Sequence, residues 1–245
     1  MASPGDYVAC EKNSCLSSRL GRQLTTIEPL LQSRQVIIPQ GVELQSVVGF
    51  TRQQLGISSA DTVFIIPSGL RPVKNLDLAL DGLTIVYQKY PQICLLIVGA
   101  AIDAEYTAHI KSRLSKLRWA HYLGEMPHQN IRGILQTSDI VLNTSLAEGQ
   151  PQGALEAMSL GKPCILTAVP GNLGIIRDGI HGCYINSAPE LAAAALKLIQ
   201  NPFRRHTMGN TARQLVNKMY SAEKELKAYD QLYKSCIFNN RAVED

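Results

Sequence analysis

Two glutamates, Glu148 and Glu156, stand eight positions apart on either side of a stretch that holds two glycines and a proline. A carboxylate accepts hydrogen bonds in pairs, so each acid can grip a vicinal diol such as that of a ribose. Gly149 and Gly153 allow close backbone approach to a ligand. Pro151 suits the first turn of a helix. Glu156 then falls about one turn into that helix, among Ala154, Leu155, Ala157, Met158 and Leu160. The alternative is local: an acid in a first helical turn is favoured by the helix dipole with no ligand at all. A second stretch, "PSGLRPVKN", sets Gly69, Arg71 and Lys74 between an apolar run and a helical pattern. Two cations beside a helix N-terminus make a site for a dianion such as a diphosphate. A solvated turn that carries an Arg and a Lys is the alternative there.

These residues need elements to hold them. From about residue 60, short apolar runs alternate with helical patterns. The runs are "TVFIIP", "QICLLIVG", "HYLGEM", "DIVLNTS", "KPCILTAV" and "GCYINS". Between them lie helical stretches such as "NLDLALDGLTIVYQKY" and "AEYTAHIKSRLSKL", and "PELAAAALKLIQN" follows the last run. Continuous apolar runs separated by helices predict strands buried on both faces of a parallel sheet. The fold class is therefore α/β: a doubly wound, Rossmann-like parallel sheet of about six strands, with extra helices at both ends. In such sheets ligands bind at the carboxyl ends of the strands, near the point where strand order reverses. The loops to inspect are Ser68–Lys74, Ala100–Ala104, Gly124–His128, Thr144–Gln152 and Val169–Leu173.

The ends differ from this pattern. Residues 1–59 offer one helix, "SSRLGRQLTTIEPLLQS", and one strand, "RQVIIPQ", too little for a second α/β domain. From residue 201 the chain reads as helix only, with Leu215, Val216, Met219, Leu226, Tyr229, Leu232 and Tyr233 on a face in search of a cover. The expected division is a remnant and linker at 1–59, a ligand-binding domain at 60–200 and C-terminal helices at 201–245.

Composition excludes several classes. Hydrophobic residues make 45% of the chain and charged residues 18%, which suits a cored globular protein. A net charge of +4 and 6% aromatics, without a long basic run, speak against nucleic acid as a partner. The six cysteines show no C-x-x-C spacing, so zinc and redox motifs are absent. Cys94 and Cys164 lie in apolar runs and read as buried thiols. No apolar run is long enough to span a bilayer. The first residues lack the basic and apolar regions of a secretory leader. The expectation is a cytoplasmic protein, or one of the secretory pathway in a longer form.

The segment "SLAEGQPQGALEAMSLGKPCILTAVPGNLGIIRDGIHGCYI" resembles the donor-binding half of the retaining GT-B glycosyltransferases of family 4. The features appear in the family's order: Ser145, Glu148 and Glu156 as Glu-x7-Glu, Gly161–Pro163, Gly171, Asp178–Gly179 and Gly182. Upstream, "GLRPVKN" resembles the family's diphosphate loop, and "IIPQGVEL" the segment that leads into this domain. The resemblance spans about residues 35 to 235.

It implies a hexosyltransferase that binds a nucleotide-diphospho-sugar and passes the sugar on with retention of configuration. Lys74 and Arg71 would contact the diphosphate, although the commoner arrangement places the Arg where this chain has Gly69. Glu148 would lie against the sugar hydroxyls and Glu156 would hold the ribose. Backbone N–H groups from Gly149 through Gln150 to Gln152 would face the diphosphate or sugar. Gln150 stands where an aromatic residue is frequent. The loop at Gly124–Met126 would lie near the base. No Asp-x-Asp occurs, so neither metal nor other cofactor is expected, and the nucleotide sugar is a co-substrate. The resemblance also implies a form truncated in its N-terminal, acceptor-binding domain, with weak or no transfer by this chain alone. The C-terminal helices would pack on that domain, or on a protein partner. A catalytically inactive nucleotide-sugar-binding or interaction protein is the alternative reading, and a sugar-nucleotide epimerase a third.

Overall fold

The computed structural model describes residues 13–15, 18–43 and 49–241. Cys10 and Leu44, the last residue of "IIPQGVEL", lie outside the described residues. Near the start, β1 (Asn13–Cys15), α1 (Ser18–Ile27) and β2 (Gln35–Ile37) form a small βαβ unit with the two strands parallel. The expectation of one strand here is corrected to two. "NSC" has no apolar run of its own, and it becomes a strand only by pairing with "QVI".

The main sheet contains β3 (Thr62–Pro67), β4 (Ile93–Val98), β5 (Ala120–Tyr122), β6 (Ile140–Asn143), β7 (Cys164–Thr167) and β8 (Gly182–Ile185). All its pairings are parallel, and the spatial order is β5-β4-β3-β6-β7-β8. The chain winds outward from β3 through β4 to β5, then returns to the other side of β3 to lay down β6. Strand order therefore reverses between β3 and β6, where a ligand crevice opens in such sheets.

Alternate residues of each strand feed opposite cores. Phe64, Ile66, Leu95 and Ile97 face α2 (Leu76–Lys89), α3 (Ala104–Leu114) and α6 (Ala188–Gln200). Val63, Ile65, Leu96 and Val141 face α4 (His128–Thr137), α5 (Gln152–Ser159) and α7 (Pro202–Met219). Burial on both faces explains why the strands read as unbroken apolar runs. Cys94 and Cys164 are buried in the second core, and burial pushes the Cys94 thiol up to about 11 and the Cys164 thiol higher still.

The expected break at residue 201 is not a break in packing. Asn201 caps α7 by accepting from the Arg204 N–H at 2.9 Å. Met208, Ala212 and Val216 of α7 are buried in the two cores of the sheet domain. The apolar C-terminal face is thus partly covered by this same domain. On α8 (Ala222–Arg241), Leu232 is buried while Leu226, Tyr233 and Ile237 are exposed.

Candidate functional site

A cleft of about 340 Å³ opens where the loop after β3 meets the loop after β6. Its walls bring together Gly69, Arg71, Lys74, Glu148, Gln150 and Gln152, which the sequence scatters over two stretches. Glu156 and Gly149 are not among its lining residues.

The first wall is built by a tight turn. Arg71 precedes the 3-10 turn Pro72–Lys74, and Asn75 sits in the left-handed region (φ 45) before α2 begins. Asn tolerates this conformation better than most residues. The N–H of Leu76 at the start of α2 donates to Tyr106 Oη at 2.7 Å. The helix start expected to face an anion is therefore already engaged at that N–H. Arg71 is exposed, and its guanidinium makes no ion pair or hydrogen bond among the described residues. Lys74 instead reaches across the cleft to Glu148, Nζ to Oε1 at 2.6 Å.

The second wall runs from β6 into α5. Glu148 Oε1 receives three donors: Lys74 Nζ, Ser145 Oγ at 2.7 Å and Asn143 Nδ2 at 3.0 Å. No donor among the described residues reaches Glu148 Oε2. The N–H groups of Gly149, Gln150 and Gly153 meet no acceptor among the described residues, whereas the N–H of Gln152 turns back to the Gln150 carbonyl. The two glutamine side chains hold the chain ahead of the sheet. Gln150 Nε2 donates to the Gln40 carbonyl at 2.7 Å and Gln150 Oε1 accepts from the Gln40 N–H at 3.2 Å. Gln152 Nε2 donates to the Gly41 carbonyl at 2.7 Å.

Gly153 serves close packing rather than a ligand. A Cβ there would stand 2.7 Å from Pro67 Cγ, so the missing side chain lets α5 press on the end of β3. Gly171 does the same for the loop after β7, where a Cβ would stand 1.9 Å from the Glu148 carbonyl oxygen.

Glu156 lies apart from this cleft, on α5 and nearly buried. Burial pushes its carboxyl above the ordinary carboxylate range, and His128 and Arg132 pull the other way. His128 Nε2 stands 3.4 Å from Glu156 Oε1. His128 begins α4, one residue (Pro127) past the loop of Gly124–Met126.

Sequence reasoning passed over Asn143, Asn172 and His128. Asn143 was visible as a polar residue closing the apolar run "IVL". Asn172 lies within one of the loops singled out, but its type carried no signal by itself. It is fully buried, its Nδ2 donates to the Thr167 carbonyl at 2.9 Å, and its Oδ1 has no partner. Such an orphaned buried acceptor costs about 1–3 kcal/mol.

The family model described as "Glycosyl transferases group 1" matches residues 48–215. A "Glycosyltransferase 1 domain-containing protein 1" of Xenopus tropicalis is 26% identical over 170 residues, covering 69% of this chain and 49% of that protein. The N-acetyl-alpha-D-glucosaminyl L-malate synthase of Bacillus anthracis is 27% identical over 190 residues, covering 74% and 48%. The chain spans about half the length of these curated relatives. Among solved structures, HepE of Anabaena in complex with UDP and glucose superposes with a TM-score of 0.83 at 20% identity, over 92% of this chain and 63% of that one. That likeness is one of fold.

Proposed function

The chain belongs to the group 1 glycosyl transferases, and we propose that its switch-point cleft binds the diphosphate and sugar of a nucleotide-diphospho-sugar donor. The observation that carries the reading is the lining of the cleft. An unpaired cation (Arg71), the unengaged N–H groups of Gln150 and Gly153 and an open carboxylate oxygen (Glu148 Oε2) belong to residues that line one space. Cations and N–H groups suit a diphosphate. A carboxylate oxygen suits sugar hydroxyls. The HepE structure with UDP and glucose supports the same ligand class.

In the proposed reaction the bond from the anomeric carbon to the diphosphate oxygen breaks. The acceptor oxygen bonds to that carbon on the same face, and its proton passes to the leaving phosphate. Arg71 and Lys74 stabilise the charge that grows on the diphosphate. Lys74 uses one of its three N–H donors on Glu148 and keeps two. No metal is needed for this assignment. Loss of one such donor costs roughly 10²–10³ in rate by analogy with an oxyanion hole. Glu156 is proposed to hold the ribose diol, with His128 beside it.

A second reading, nucleotide-sugar binding without transfer, is favoured by the closed Lys74–Glu148 pair, which occupies two groups that transfer would use. Calorimetry with UDP- and GDP-sugars tests the shared premise. Binding of one nucleotide class, weakened by Glu156→Ala, is expected; no binding to any of them overturns both readings. A product assay with the binding sugar then separates transfer from binding alone.

A further inference from the structure

Glu148 is held by a relay of amides whose polarity can be worked out from one end to the other. Asn143 Oδ1 lies 3.3 Å from the Ser145 N–H, a group that can only donate. The oxygen of the Asn143 amide must therefore face that way, and its Nδ2 faces Glu148 Oε1. Asn172 approaches the same Asn143 oxygen at 3.2 Å and must do so with its own Nδ2. The Thr167 carbonyl, which can only accept, lies 2.9 Å from that Nδ2 and requires the same orientation. Thr167 Oγ1 in turn donates to the Ser145 carbonyl at 2.6 Å.

The arrangement leaves Asn172 Oδ1 buried without a partner. An apolar residue of similar size would remove that orphan. The only work the Asn172 amide does is donation, to Thr167 and to Asn143. The backbone of Asn172 is itself pinned, its carbonyl lying 2.8 Å from Tyr184 Oη.

We propose that Asn172 is a positioning residue for the donor sugar: by fixing the Asn143 amide it directs all donors onto Glu148 Oε1 and keeps Oε2 as the oxygen that receives sugar hydroxyls. The proposal rests on the donor-site reading above. Asn172 makes no hydrogen bond to Glu148 and does not itself line the cleft; it reaches Glu148 through Asn143, which does.

The discriminating variant is Asn172→Asp, which keeps shape and presents only acceptors. The Asn143 amide then turns its Nδ2 towards position 172, and Glu148 loses a donor. Two measurements on the full chain decide the matter. In the ligand-free, 15N-labelled protein, the Asn143 side-chain amide resonances are expected to shift in Asn172→Asp while the backbone spectrum stays that of the folded protein. In calorimetry with UDP against UDP-glucose, and GDP against GDP-mannose, the part of the affinity contributed by the sugar is expected to fall roughly tenfold, with the bare nucleotide unaffected. Asn143→Ala, at a half-buried position, is the second variant should Asn172→Asp not fold, and the same loss is expected from it. An unshifted Asn143 amide, an unchanged sugar contribution, or an equal loss for bare nucleotide and nucleotide sugar overturns the proposal. Failure of the wild-type chain to bind any nucleotide is a different result and overturns the donor-site reading with it.

Discussion

Lys74 and Glu148, 74 residues apart in the chain, meet at 2.6 Å across the mouth of the sheet's switch point. Both side chains are nearly enclosed, at 15% and 9% exposure. Two loops that leave different strands are thereby tied to each other before any ligand arrives. Removing one member of an enclosed pair leaves the other charge uncompensated. Lys74→Ala is expected to lower stability by about 3 kcal/mol. The double variant Lys74→Met/Glu148→Gln, with no charge left, should recover most of it. Urea unfolding of the three proteins checks this, and a double variant no more stable than Lys74→Ala would contradict it.

Arg71 should behave in the opposite way. It has no partner among the described residues and is exposed. Arg71→Ala should leave stability within about 0.5 kcal/mol of wild type. Affinity for a nucleoside diphosphate should fall by roughly tenfold to a hundredfold, as for loss of a charge-assisted hydrogen bond. Parallel unfolding and calorimetry separate the two effects, and the lost affinity should shrink as salt is raised.

The Glu156 carboxyl titrates above its ordinary 4.5 because it is buried. A raised pKa in the folded state means the folded protein holds this proton more tightly than the unfolded chain does. The stabilisation it gives is complete below pH 4.5 and is lost as pH rises through the folded-state value. Glu156→Gln removes this titration. Its stability relative to wild type should therefore rise as pH climbs from 4.5 through the folded-state value. Denaturation midpoints across that range test the sign. The same substitution should abolish any preference for ribonucleotides over 2′-deoxyribonucleotides if the diol assignment is right.

Gly171 has no room for a side chain, since a Cβ would lie 1.9 Å from the Glu148 carbonyl oxygen. Gly171→Ala must push the Glu148 loop aside. The expected cost is about 1–3 kcal/mol of overpacking, together with weaker nucleotide-sugar binding. Full affinity in a destabilised Gly171→Ala protein would show that the loop adapts without moving Glu148.

Much of this fold was legible in the chain. "TVFIIP" and "ICLLIV" gave themselves away as strands because both faces of β3 and β4 are covered, so every residue after the opening Thr62 is apolar. The cleft loops were legible because ligand sites in such sheets lie after the strands. β1 was not legible, since "NSC" is a strand only through its ladder to β2. Nor was the role of Gly153, whose missing side chain is answered by Pro67 rather than by a ligand. Gln150 and Gln152 were singled out for backbone N–H groups that would face a diphosphate or sugar, and what could not be read was that their side-chain amides hold Gln40 and Gly41, about 110 residues earlier in the chain.

The sequence by itself determined the class of sheet, its six strands and the two loops that line the cleft, because burial on two faces and turn chemistry are written into neighbouring residues. Only the tertiary structure decided who partners whom at the cleft. Lys74 is engaged while Arg71 is not, and Glu156 stands apart beside His128. Asn172 Nδ2 donates to Asn143 Oδ1 from 29 residues away. Hydrogen bonds and charge pairs depend on distances of a few ångströms between segments far apart in the chain, and those distances exist only once the strands have been ordered around β3.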